Sequence, residues 1–150
     1  MTTQNNNPAK KTVSFGVAWE GLYGYVQAIQ VKDTVYLSGQ LSHDREGNLI
    51  APAALNADGK PADFSMMEAQ MRQTYAIIVD LLGEFGATLD DVVEETLFVI
   101  DVPAAFAAAG KERKEFYGAE VPQVVSNLIG VSGLAFPQQL IEITIRAVVE

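Results

Sequence analysis

Residues 24–41, GYVQAIQVKDTVYLSGQL, decide the fold. They read as a hairpin of two strands. In the second, Val35, Leu37, Gly39 and Leu41 alternate with Thr34, Tyr36, Ser38 and Gln40, the period of two that an extended chain imposes. The first runs over 25–31, with Tyr25, Ile29 and Val31 on one face and Val26, Ala28 and Gln30 on the other. Neither of its faces is purely polar, so both faces of the hairpin are expected to be covered. Lys32-Asp33 joins the strands; Asp tolerates positive φ, whereas Lys has no special preference for it. Gly39 inside a strand predicts a bulge or a close approach by another group.

Working outward, 132 of the 150 residues flank this stretch. Residues 1–11 are polar and rich in Asn, and a frayed tail is expected there, with one domain over 12–150. Val13, Phe15 and Val17 at period two predict a strand over 12–19. Residues 42–65 carry turn chemistry at 44–48 and 56–61, a long irregular segment of the kind that is often functional. Ser65-Met66-Met67-Glu68 predicts a capping box. Met67, Met71, Tyr75, Ile78 and Leu82 follow at helical spacing, with Phe85 closing the stripe and Gly86 as C-cap. A strand is expected over 95–100. A second helix, with Pro103 in its first turn, should run to Tyr117 through Gly110. Strands over 122–131 and 140–149 complete the order β-β-β-α-β-α-β-β, an α+β mixed sheet with two helices on one face.

Composition bounds the function. Of 150 residues 49% are hydrophobic, which makes a folded chain. No apolar run is long enough to span a bilayer, and no membrane association is expected. A net charge of -9 argues against nucleic acid, which requires a basic face. The absence of cysteine removes disulfides and thiolate metal sites and fits a cytoplasmic protein. With one histidine, His43, no metal site is expected; His43 reads as a solvated loop residue, and Asp90, Asp91, Glu94 and Glu95 as a solvated acidic face. Glu142 is different. It lies between Ile141 and Ile143 in a β-branched strand, where a carboxylate is costly unless it meets water, a partner or a site. With helices covering one face of the sheet, the other is expected to be buried against further copies of the chain, with Glu142 in a polar pocket at the boundary.

The ordered set GYVQAIQVKDTVYLSGQ at 24–40, MRQTYAIIVDLLGEFGATLDDVV at 71–93, LFVIDV at 97–102, IGVSGLA at 129–135 and LIEITIRAVV at 140–149 resembles the Rid family (reactive intermediate deaminases, YjgF-like, also labelled L-PSP endoribonuclease-like). The resemblance implies a chorismate-mutase-like fold and a homotrimer. It also implies clefts between subunits where imines and enamines derived from amino acids are hydrolysed with no cofactor. It implies roles for Tyr25, Ser38 and Gly39 in binding and for Glu142 in positioning the attacking water. The family's substrate-gripping arginine falls at Ser126, or at Val125 if the register slips by one, and no Arg or Lys occurs from Glu115 to Ile145. Ser126 and Asn127 are then the side chains left to receive a substrate. Two functions follow: an imine or enamine hydrolase on a non-standard substrate, or a non-catalytic trimer that binds a small metabolite.

Overall fold

A computed structural model describes residues 1–4 and 9–150. Among them, seven strands form one mixed sheet in the order β1-β2-β3-β4-β7-β5-β6. The central hairpin is β3 (Ala28–Val31) and β4 (Thr34–Gln40), antiparallel with Ala28 opposite Leu37. Its turn places Lys32, not Asp33, at a positive φ of 54°. β7 (Ile141–Val148) pairs antiparallel with β4 and with β5 (Val92–Val99), and β5 pairs parallel with β6 (Val125–Gly130).

The N-terminal expectations change. Thr2–Gln4 forms β1, antiparallel to β2 (Lys11–Ser14), so that part of the tail is a strand. The rest of the expected fraying includes 5–8, which lie outside the described residues. The expected strand over 12–19 stops at Ser14. Glu20 takes the backbone N–H groups of Phe15 and Gly16 at 2.9 and 2.8 Å. The chain leaves the sheet at Gly16, φ 87°, and turns into a helix, α1 (Ala18–Tyr23).

α2 (Met67–Gly83) carries the predicted stripe into the core: Met67, Met71, Tyr75, Ile78 and Leu82 are all buried. The capping box is absent. Both the hydroxyl and the N–H of Ser65 go to Asp63 Oδ1, at 2.6 and 3.0 Å. The charged oxygen two residues back outcompetes the helix for Ser65. The chain leaves α2 through Gly86 at φ 69°, with Ala87 N–H returning to Leu82 O. A 3-10 turn, Leu89–Asp91, leads into β5.

The second helix is two: α3 (Val102–Ala109) and α4 (Glu112–Tyr117), broken at Gly110-Lys111. The break sets buried Glu112 against Arg72 of α2, whose Nε lies 3.0 Å away. Both pack against α2 on the covered face of the sheet. That face carries Val35, Leu37, Leu97, Val99, Ile141, Ile143 and Ile145, all buried. In the single chain the opposite face is open; the cover expected for it was further copies of the chain. Tyr36, Val125, Ile129 and Val148 lie on it at 44, 66, 43 and 40% exposure.

The 42–65 segment is two tight turns. Asp44 gathers Glu46 N–H and Asn48 N–H at 3.0 and 2.8 Å, and Asn56 does the same for Asp58 and Lys60. Gln70 of α2 ties the segment down. Its side-chain amide donates to the carbonyls of Ala51 and Gln138 and accepts Leu140 N–H at 2.8 Å.

Candidate functional site

Glu142 stands on the open face near the start of β7, two residues after the backbone that Gln70 holds. β4 carries one residue too many against β7: Leu37 faces Ile145 and Gln40 faces Ile143, so the ladder bulges at Ser38-Gly39. The bulge delivers Gly39 to Glu142. A Cβ on Gly39 would sit 2.4 Å from the Glu142 carboxyl carbon, where no side chain fits. The glycine is therefore required by the carboxylate, as its place in the strand suggested.

Burial pushes the Glu142 carboxyl above its usual range, and a hydrogen bond with Gln139 pulls it back in part. A carboxyl raised in this way is proton-accepting nearer neutral pH, the property a general base needs. Tyr25 lies on the same side. Burial raises its phenol, the Gln27 hydrogen bond opposes this, and the charges of Glu20 and Glu142 add to the rise. Its hydroxyl accepts from Gln27 Nε2 at 3.4 Å, and its ring meets Tyr23 edge-on at 5.7 Å. Behind them Gln40 Nε2 donates to Gln27 Oε1 at 3.0 Å and to Ser38 O at 2.8 Å, which fixes the bulge from within.

The sequence-derived residues are brought together unevenly. Gly39 and Glu142 meet, and Tyr25 lies close enough to feel the Glu142 charge. Ser38 belongs to the bulge, but its hydroxyl donates to Val26 O at 2.8 Å and works as a brace. Asn127 shares the open face with Glu142. Thr96 pairs with Asn127 on one side and with Thr144 on the other, while Glu142 pairs with Phe98, so Asn127 lies two strands across and two residues along from Glu142, roughly 12 Å at ~4.8 Å per strand and ~3.3 Å per residue. Ser126 faces the other way. Its hydroxyl donates to Glu95 Oε1 at 2.9 Å on the helix-covered side. Arg146 shares the face of Glu142 but lies over the Tyr36 ring, 5.4 Å to its centroid, with Glu94 3.9 Å from its guanidinium.

Glu95 corrects the expected acidic face: it is 1% exposed. Its carboxylate accepts from the hydroxyls of Tyr75 and Tyr117, both at 2.9 Å, and from Ser126, and pairs with Arg113. Burial, with the Glu95 charge added, raises both phenols far above the usual tyrosine range. His43 is corrected too. It is 6% exposed, edge-on to Phe15 at 5.3 Å and to Trp19 at 5.2 Å. Neither burial could be read from charge alone. The period-two register places Glu95 with Leu97 and Val99, and that was the available signal for the first. Among the described residues no group of three or more His, Cys, Asp or Glu is arranged to hold a metal, and no helix is long and apolar enough to cross a membrane.

The profile of the endoribonuclease L-PSP family matches residues 16–149, which include every converging residue above. The chain belongs to that family. Family members with solved structures share the architecture. A member of the YjgF/YER057c/UK114 family from Mycobacterium tuberculosis is 26% identical, with a TM-score of 0.73 over 93% of this chain and 99% of that one. A conserved Rid-family protein from Yersinia pestis is 25% identical, with a TM-score of 0.67 over 84% of this chain and 88% of that one. A 2-iminobutanoate/2-iminopropanoate deaminase from Dermatophagoides farinae is 28% identical over 125 residues, 83% of this chain and 86% of that protein. In this L-PSP family protein a carboxylate is seated on a glycine bulge on the open sheet face.

Proposed function

We propose that this L-PSP family protein hydrolyses an imine or enamine, with Glu142 orienting the attacking water and no cofactor. One observation carries the reading: a half-buried, proton-hungry carboxyl lies on the Gly39 bulge, its charge felt at the Tyr25 phenol. Water held by Glu142 adds to the imine carbon while its proton passes by way of the carboxylate to the imine nitrogen. The carbinolamine then loses ammonia and leaves a carbonyl. Likeness to a 2-iminobutanoate/2-iminopropanoate deaminase supports the reaction class. The substrate is proposed to be less anionic than a 2-imino acid. No Arg or Lys occurs from Glu115 to Ile145 to grip a carboxylate bidentately. Ser126 and Asn127 provide no cation, and Arg146 is engaged by Tyr36 and Glu94.

The cleft is proposed to be completed by neighbouring copies in a homotrimer. Support comes from apolar side chains left open around the site: Tyr36, Val125, Ile129 and Val148 on the sheet face, and Leu22 and Tyr23 beside Tyr25. The missing cation favours one second reading, a trimer that binds a small carbonyl or amine metabolite without turning it over. Carbonyl and ammonium release, measured over a panel of imines generated in situ, separates the two. Hydrolysis above the spontaneous rate for an uncharged imine, with little for 2-iminobutanoate, is expected. Saturable binding of the panel without any release would leave the binding reading in its place.

A further inference from the structure

A separate cavity of about 540 Å³ lies between the 43–45 turn and α2. Its volume falls in the range of small-molecule sites, about 300–1,000 Å³. Tyr25, Gly39 and Glu142 do not line it. Gln73, Ile77 and Asp80 reach it from one face of α2, at the four-and-three spacing of a helical stripe. Met1, Phe15, His43, Asp44 and Arg45 complete the lining.

His43 makes this cavity more than a gap. Its ring is buried between Phe15 and Trp19. Nδ1 lies 2.6 Å from the carbonyl oxygen of Asp44, which can only accept, so Nδ1 carries the proton. In the neutral ring Nε2 is then a bare acceptor. It takes no hydrogen bond among the described residues, yet none of their buried side-chain nitrogens is left both unpartnered and sealed from solvent. Its access is the cavity. Gln73 spends its amide N–H on His43 O at 3.3 Å and keeps its oxygen free to accept. Asp80 and Arg45 carry no ion pair or hydrogen bond among the described residues. Beside the Met1 terminus, the walls therefore offer three acceptors, one of them charged, a guanidinium, and the apolar surfaces of Phe15 and Ile77.

We propose that this cavity binds a zwitterionic α-amino acid with an apolar side chain. The ammonium group donates to His43 Nε2, Gln73 Oε1 and the Asp80 carboxylate. The carboxylate meets Arg45, and the side chain lies against Phe15 and Ile77. A bare cation is not the ligand, because no group of three His, Cys, Asp or Glu gathers here. A simple anion would meet Asp80 and the field of a chain with net charge -9.

The test is a calorimetric and NMR titration of the full chain with L-leucine, 3-methylbutylamine and N-acetyl-L-leucine. Leucine should bind saturably and shift the resonances of His43, Ile77 and Asp80. The amine, lacking the carboxylate, should bind about tenfold more weakly, and N-acetylleucine, lacking the ammonium, should not bind at all. Asp80→Asn, an exposed change that spares the fold, should weaken leucine at least about tenfold. His43→Phe keeps the ring packing and should do the same, with thermal unfolding as its control; if it fails to fold, Asp80→Asn decides alone. Glu142→Gln should leave leucine binding unchanged, which separates this site from the sheet-face site. No saturable binding up to about 10 mM leucine, equal binding of N-acetylleucine, or an unaffected Asp80→Asn variant would overturn the proposal.

Discussion

At the scale of single residues, Glu142 and Gly39 act as one unit. Gly39→Ala puts a methyl inside the carboxylate's space, so Glu142 must move. Imine hydrolysis should fall by about 100-fold or more, the effect of misplacing a catalytic group by ~1 Å. The fold should survive, because both strands stay paired through Leu37 and Gln40. The raised carboxyl sets the pH dependence. A folded-state value above the unfolded one means the folded chain holds the proton more tightly. Stability linked to Glu142 is therefore full below its unfolded value and lost as pH rises through its raised folded value. Glu142→Gln should melt at a higher temperature than wild type near neutral pH, and the gap should close in acid. Equal melting temperatures at all pH values would contradict the burial argument. The arginine question also changes at this scale. An arginine at Ser126 would lie on the covered face against Glu95, so Ser126→Arg should destabilise the chain without adding activity. Val125→Arg, on the open face, is the informative gain-of-function trial.

At the scale of elements, the polar cluster around Glu95 joins α2, α4, β5 and β6. Replacing Glu95 with Ala strands the Arg113 charge and removes the acceptor of three hydroxyls. Chemical denaturation should show a loss of about 3–5 kcal/mol; a loss within ~0.5 kcal/mol would place the cluster at the wet surface. Ile78→Ala should cost about 2–5 kcal/mol, as a fully buried position on α2. The elements were legible where a period was long enough to be unambiguous. The stripe from Met67 to Leu82 and the alternation in β4 and β7 mapped directly onto buried faces. They were misread where a side chain bonded out of period. Glu20 pulled 15–16 into a helix entry, Asp63 took Ser65, and the Arg72–Glu112 pair accompanies the break at Gly110. The first two are local bonds that hydrophobic period does not register, and the third joins residues that only the folded chain brings together. The same limit explains the site. Gly39 and Glu142 were readable as exceptions within strands, whereas the burial of His43 and Glu95 depended on neighbours far away in sequence.

At the scale of the whole molecule, the open sheet face asks for a cover. Four large apolar side chains on one surface of a 16.2 kDa chain are a liability in water. Sedimentation equilibrium at micromolar concentration should give three times that mass, and Val125→Asp should shift it toward the monomer. The proposed chemistry then belongs to the assembly, with each Glu142 roofed by a neighbouring copy. Its most direct test is carbonyl release from an uncharged imine by wild type and Glu142→Gln, side by side in the trimeric state. The account predicts release above the spontaneous rate for wild type and a drop of about 100-fold or more for the variant, the usual worth of a positioned base. Equal release by the two proteins would contradict it and remove Glu142 from the chemistry.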